Sequence, residues 1–174
     1  MNEVLNCLET RRSVRKYLPK QIADAELNAI LEAGIYAPTA MGRQSPKIVV
    51  LQKPEDVAEL ERMNAAVLGN PDSHPFYGAP TVLVVLADAK AGTAVEDGSL
   101  VLGNLMNAAH ALGVGSCWIH RAREEFASDE GKALLKRWGI EGDWVGVGNC
   151  ILGYADGPEP KPAPRRPDYY RIIK

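Results

Sequence analysis

Within Arg11-Arg12-Ser13-Val14-Arg15-Lys16, three arginines, a lysine and a serine occupy six positions of a 174-residue chain whose formal net charge is only −2. Guanidinium forks match phosphate oxygens two at a time, and a serine hydroxyl adds a donor at short reach. The cluster suits one phosphate-sized anion. The competing reading is a solvated basic turn. Two other segments weigh against it: Arg165-Arg166 is a second basic pair set among prolines, and Gly113-Val114-Gly115-Ser116-Cys117-Trp118 is a glycine-rich approach to something flat.

Other chemistries find less support. His74, His110 and His120 have no metal-ligand spacing with one another or with cysteine, no Walker motif is present, and no Ser/His/Asp arrangement can be argued. The Gly113 segment and Gly146-Val147-Gly148-Asn149-Cys150-Ile151 both begin like a dinucleotide fingerprint. Neither supplies the third small residue, and both lead into a strand, so the helix approach that a pyrophosphate needs is missing. Gly113 and Gly115 are therefore expected to let the backbone pass close to a flat ring, and residues 146–151 to form a tightly packed core strand. His110 reads as a packing residue, while His120 is balanced between lining a ring edge and not.

Composition narrows the class. A hydrophobic content of 46% is ordinary for a globular chain, and the length fits one domain over residues 1–174. No broad basic face is available for nucleic acid. The longest apolar run, residues 79–87, falls short of the roughly 18 residues a membrane span requires, and the N-terminus lacks a secretory pattern. Cys7, Cys117 and Cys150 are odd in number and widely spaced, as expected of free thiols in a reducing compartment, so the expected location is the cytoplasm.

The elements that must position these residues follow from periodicity. Residues 3–9 place Val4, Leu5 and Leu8 on one helical face just before the basic cluster. Residues 22–36 predict a helix capped by Asp24 and stopped at Ala37-Pro38, and residues 54–66 a helix with proline in its first turn. The continuous run 81–86 predicts a central strand covered on both faces, with further strands at 47–52, 114–119 and 144–152. Residues 97–112 predict a long helix, apolar around much of its circumference, and residues 128–138 a helix capped by Ser128. Strands do not alternate strictly with helices, so the expectation is an α+β domain of three layers, α/β/α, around a mixed or antiparallel sheet. The proline-rich stretch from Gly157 can join neither helix nor sheet, and residues 157–174 are expected to form a stiff extended C-terminal arm that reaches a neighbouring subunit.

In order and spacing, Arg11-Arg12-Ser13-Val14-Arg15-Lys16-Tyr17, Ala37-Pro38-Thr39-Ala40-Met41-Gly42-Arg43-Gln44 and Gly113-Val114-Gly115-Ser116-Cys117-Trp118-Ile119 closely resemble the nitroreductase family, from about residue 10 to about residue 166. That resemblance implies FMN as cofactor, NADH or NADPH as electron donor, and a homodimer with two flavin sites at its interface. It also implies roles. Arg11, Ser13 and either Arg165 or Arg166 would hold the phosphate, with Arg12 acting largely through its backbone. Arg15 would put a cation beside the ring's N1 and O2, where negative charge gathers on reduction. Pro38, Thr39 and Ala40 would pack along one ring face, and Gln44 would bond the pyrimidine edge. Gly115, Ser116, Ile119 and the His120-Arg121 backbone would approach the dimethylbenzene and N5 side.

The chain departs from the family pattern at Gly42, where asparagine is frequent, at Lys47, where an aromatic is frequent, and in a short segment over residues 63–80 that would shape the substrate mouth. FMN is expected over FAD because the basic residues suffice for one phosphate. The activity implied is two-electron, ping-pong reduction of nitroaromatics, quinones or similar flat acceptors. The alternatives are reductive dehalogenation or flavin-consuming chemistry, and a non-catalytic flavin-binding dimer.

Overall fold

The computed structural model describes residues 2–174. The elements run α1 (Glu3–Thr10), α2 (Asp24–Ile35), a 3-10 turn (Ala40–Gly42), β1 (Pro46–Leu51), α3 (Pro54–Leu68), β2 (Thr81–Asp88), α4 (Ala94–Ala111), β3 (Gly115–Ile119), α5 (Ala122–Ala127), α6 (Asp129–Arg137) and β4 (Trp144–Gly153).

β2 explains the layering. Its residues alternate between two cores: Val82, Val84 and Leu86 join one, and Leu83, Val85 and Ala87 join the other, all fully buried. An uninterrupted apolar run is what a strand covered on both faces requires. The first core adds Leu60 and Met63 of α3, Phe126 of α5, and Leu134 and Leu135 of α6. The second adds Leu27 and Ile30 of α2 and Val101, Leu102 and Leu105 of α4. Three layers result, with the sheet in the middle. Its order is β1-β2-β4-β3, antiparallel at every pairing.

β4 is kinked by a bulge: Val85 pairs with Gly148, but Leu86 pairs with Gly146, leaving Val147 between them. A Cβ at Gly146 would overlap the Ala122 carbonyl, and one at Gly148 would overlap the Trp118 ring, so both glycines are needed for close approach. The second glycine-rich motif is thus a core strand, as its sequence suggested. Gly113 has a different task from the one expected. At φ +74 it turns the chain out of α4 into β3, and Gly115 leaves room for Val14, whose side chain a Cβ there would meet at 3.0 Å.

Other boundaries moved for physical reasons. α2 is capped by Ala23, with Asp24 its first residue, because Glu26 reaches back to accept the Ala23 N–H at 2.9 Å. α4 begins three residues earlier than expected and is not apolar all round. Ala94, Asp97, Gly98, Val101, Leu102, Leu105 and Ala109 form one buried stripe, and Leu100 stands exposed on the other side. α5 had no sequence forecast; its six residues are too few for a periodic signal. Ser128 caps α6 as expected, accepting the Gly131 N–H at 3.0 Å. Residues 157–174 are exposed throughout and hold no helix or strand.

Candidate functional site

The basic segment leans on the open edge of β3. Val14 N–H donates to the Ser116 carbonyl at 2.9 Å within a parallel bridge between Ser13 and Ser116. Further on, Leu18 N–H donates to the Tyr154 carbonyl at 2.9 Å, Asp156 N–H to the Lys16 carbonyl at 3.0 Å, and the buried Tyr17 hydroxyl to the Val14 carbonyl at 2.8 Å. Residues 13–18 are therefore fastened to β3 and to the chain just beyond β4 by isolated bridges and hydrogen bonds.

The donors this arrangement presents outnumber its acceptors. Arg12 is committed: its Nη1 donates to the Glu9 and Arg11 carbonyls at 2.8 and 2.7 Å and closes the C-terminal end of α1. Arg11 is half-buried, and its Nη1 is shielded from solvent without a hydrogen-bond partner. The Ser116 hydroxyl oxygen and Arg12 Nε are likewise buried and unpartnered. A buried cationic donor with no acceptor is costly, and an anion arriving there removes the cost.

Beside this edge lies a cavity of about 530 Å³, with Arg12, Arg15, His110, Gly115 and Ser116 on its walls and residues 155–160 along its rim. His110, expected to be a packing residue, is half-buried in this wall, its Nε2 2.9 Å from the Thr10 hydroxyl. Arg15 also borders a second cavity of about 310 Å³ that takes in Ile119, His120 and Arg121. The two hollows meet at Arg15, strung along β3.

A third cavity of about 320 Å³ belongs to other elements: Thr39 and Gln44 face Leu31, Ile35, Ile48 and Val101 there. Pro38 is exposed and Ala40 half-buried beside it. The turn feeding this cavity is wound tightly, with positive φ at Met41, Gly42 and Gln44. Asp97, 3% exposed, holds it. One carboxylate oxygen accepts the Ala40 N–H at 3.0 Å; the other accepts the hydroxyls of Ser45 at 2.8 Å and Thr93 at 3.2 Å. Burial pushes the Asp97 carboxyl up, yet the three bonds outweigh it and leave it below the usual range. Sequence reasoning took Asp97 only for a helix start; its signal was a carboxylate on the apolar side of an amphipathic helix.

The expected site residues thus fall into three groups. Arg12, Ser13, Arg15, Gly115 and Ser116 gather on the β3 edge, with Arg11 just before them in the chain; Ile119, His120 and Arg121 continue it; Thr39 and Gln44 line a separate wall, with Pro38 and Ala40 beside them in the chain. Arg165 and Arg166 stand exposed in the C-terminal segment, where Arg165 Nη1 reaches only the Ala163 carbonyl at 3.5 Å.

The sequence profile of the Nitroreductase family matches residues 8–154. A protein of Archaeoglobus fulgidus assigned as an NADH dehydrogenase/NAD(P)H nitroreductase is 32% identical over 159 residues, covering 88% of this chain and 86% of its own. Among solved structures, a nitroreductase with bound FMN from Bacteroides fragilis superposes with a TM-score of 0.91 at 32% identity, each chain covered completely. A nitroreductase with bound FMN from Desulfitobacterium hafniense gives 0.88 at 28% identity, covering 99% of this chain and all of its own.

Proposed function

Because the chain belongs to the nitroreductase family, we propose that it is an FMN-dependent oxidoreductase, taking electrons from NADH or NADPH and passing them to a nitroaromatic, quinone or similar flat acceptor. The observation that carries this reading is the set of buried, unpartnered polar atoms of the basic segment and β3, Arg11 Nη1, Arg12 Nε and Ser116 Oγ, which an anion would satisfy. Bound FMN supplies hydride acceptance and donation at its ring; the protein supplies position and charge.

In this reading Arg11 and Ser13 hold the phosphate, and Arg12, already engaged with the end of α1, contributes its backbone. Arg15, between the two hollows, puts its charge beside the ring's pyrimidine edge. Ser116, Ile119 and the His120-Arg121 backbone border the opposite edge, and the wall of Pro38, Thr39, Ala40 and Gln44 covers a ring face.

That wall opens into a cavity of its own, so in this reading it serves the site of a second copy. A homodimer has further support. Val4, Leu5 and Leu8 of α1 are 66%, 52% and 53% exposed, and Tyr169, Tyr170, Ile172 and Ile173 of the C-terminal arm stand free in the single chain. A two-fold axis that covers these faces brings each arm's Arg165 and Arg166 to the partner's phosphate. Among the described residues no helix is long and apolar enough to cross a membrane. The three cysteines are free thiols, in keeping with a cytoplasmic enzyme.

The test is direct. The purified protein is expected to be yellow, to release FMN on denaturation, and to lose its colour when NADH or NADPH is added without oxygen. Release of FAD, or a colourless protein that takes up no added FMN, overturns the reading. FMN that neither donor reduces leaves only a flavin-binding dimer.

A further inference from the structure

The second cavity along β3 is walled by basic side chains. Arg15, His74, His120 and Arg121 all face it, and no acidic residue does. With Arg15 assigned to the flavin, the geometry points to a subsite for an anionic group of the reacting molecule, a carboxylate or a phosphate, formed by Arg121 with His74 and His120. This rests on the flavin reading of the neighbouring hollow.

Arg121 is built into place. Its backbone is left-handed at φ +84, a conformation that a long side chain seldom adopts and that surrounding bonds must enforce. Those bonds come from a fully buried amide. Asn64 of α3 donates through Nδ2 to the His120 carbonyl at 2.8 Å and to the Glu125 carboxyl, while its Oδ1 accepts from Arg121 Nη1 at 3.3 Å. Glu125, 1% exposed, takes Asn149 Nδ2 of the central strand β4 on its other oxygen at 2.8 Å. α3, α5 and β4 thus all converge on the peptide that carries Arg121.

The bond to Asn64 uses one of the guanidinium's five N–H donors and leaves the others for a ligand. Glu125 is only partly ionised near neutral pH, because burial pushes its carboxyl up to about 7 despite the two amide bonds. On the opposite wall, His74 has Nδ1 3.5 Å from Glu61, whose other oxygen accepts the Phe76 N–H at 2.8 Å. The exposed His74 side chain lines the cavity mouth. Buried Phe76 anchors the loop that carries His74, and Asn64 anchors the peptide that carries Arg121.

Two sources could supply the anion: the acceptor's carboxylate or the 2′-phosphate of NADPH. With the FMN-loaded protein, kcat/KM is measured for 4-nitrobenzoate against its methyl ester, and for NADPH against NADH, so that each ratio cancels any change in the flavin's own chemistry. Arg121→Gly relieves the positive φ and Arg121→Gln keeps bulk; either is expected to lower one ratio about tenfold, and Arg121→Lys to restore most of it. His74→Gln is expected to lower the same ratio twofold to fivefold. A fall in the nitrobenzoate ratio assigns the site to the acceptor, and a fall in the NADPH ratio assigns it to the donor.

Both ratios within twofold of wild type in Arg121→Gly and Arg121→Gln overturn the subsite. Benzoate binding, read by tryptophan fluorescence because Trp118 lies on the same wall, keeps the two readings separate. Saturable quenching that Arg121→Gly abolishes in a protein that takes up no FMN sinks the flavin reading and leaves an anion site. Absence of quenching together with unchanged ratios in a protein that does take up FMN sinks the subsite alone.

Discussion

The β3 edge and the Asp97-held turn solve opposite problems. On the β3 edge, charged and polar donors are brought under cover and left short of acceptors, as Arg11 Nη1 and Ser116 Oγ show. Around Asp97 the strain of three positive-φ residues is matched by bonds to both carboxylate oxygens. The first region leaves buried polar atoms that a bound anion would satisfy. The second is finished in advance and offers a surface. Affinity should therefore depend on the first, geometry on the second, and cofactor uptake on whatever brings the two together.

The largest effect is expected from separating them. Leu8→Glu places a charge on the exposed apolar face of α1, where the single chain tolerates it, and is expected to give a monomer whose FMN affinity falls ~1,000-fold, or about 4 kcal/mol. Sedimentation combined with flavin titration decides, and a monomer with FMN tightly bound would show that one chain completes the site alone.

Asp97→Ala breaks the finished region. It strands the Ala40 N–H and is expected to cost about 3 kcal/mol of folding stability in urea. Because Asp97 sits below its usual pKa, its contribution is fully present above the unfolded carboxyl's pKa and is lost as pH falls through the folded one; the wild-type advantage over Asp97→Asn should shrink toward low pH. An undiminished advantage at acid pH would locate the stabilisation elsewhere.

Arg11→Ala should weaken FMN binding by about 1.5 to 3 kcal/mol while leaving the flavin-free protein at least as stable as before, since the buried Nη1 has no partner to lose. Unchanged affinity would return the basic segment to the status of a surface turn, and a destabilised flavin-free protein would reveal an internal acceptor for Arg11.

The smallest effect concerns Glu125, behind the far end of β3. Its folded pKa of about 7 lies above the unfolded value, so the native state binds the extra proton and stability falls as pH rises. Between pH 6 and 8 this linkage amounts to about 1 kcal/mol, which Glu125→Gln should remove from the pH profile of chemical unfolding. Identical slopes in the two proteins would show that Glu125 is ionised across that range.

What the sequence made legible follows the same division. The apolar run of β2, the serine cap of α6 and the basic segment are written in neighbouring residues, and each was readable. The Asp97 clamp was not, because its partners lie 52 and 57 residues away in the chain. The Asn64–Glu125–Asn149 network escaped for the same reason: three separated polar residues carry no local pattern until α3, α5 and β4 pack. That His110 also borders a cavity was not legible, because helical periodicity reports a buried stripe and is silent about which cavity borders its margin. Gly113 and Gly115 were recognised as special for a reason that proved incomplete, since a turn out of α4 and the seating of Val14 both need them before any ligand does.

The strand order carries a consequence for how the chain is made. β4, last to be synthesised, lies between β2 and β3 and bonds to both, so neither can acquire its inner neighbour until residue 153 is available. Pairings of such long sequence separation close late, because the chain's ends must first be brought together. The N-terminal basic segment waits longer still, being fastened to β3 by Ser13 and to the chain just beyond β4 through Tyr17 and Ala155. On a ribosome the β1–β2 pair can form early, while the edge beside the basic segment is assembled only after β4 and Ala155 have emerged, so closure of the sheet and completion of that edge arrive as one event.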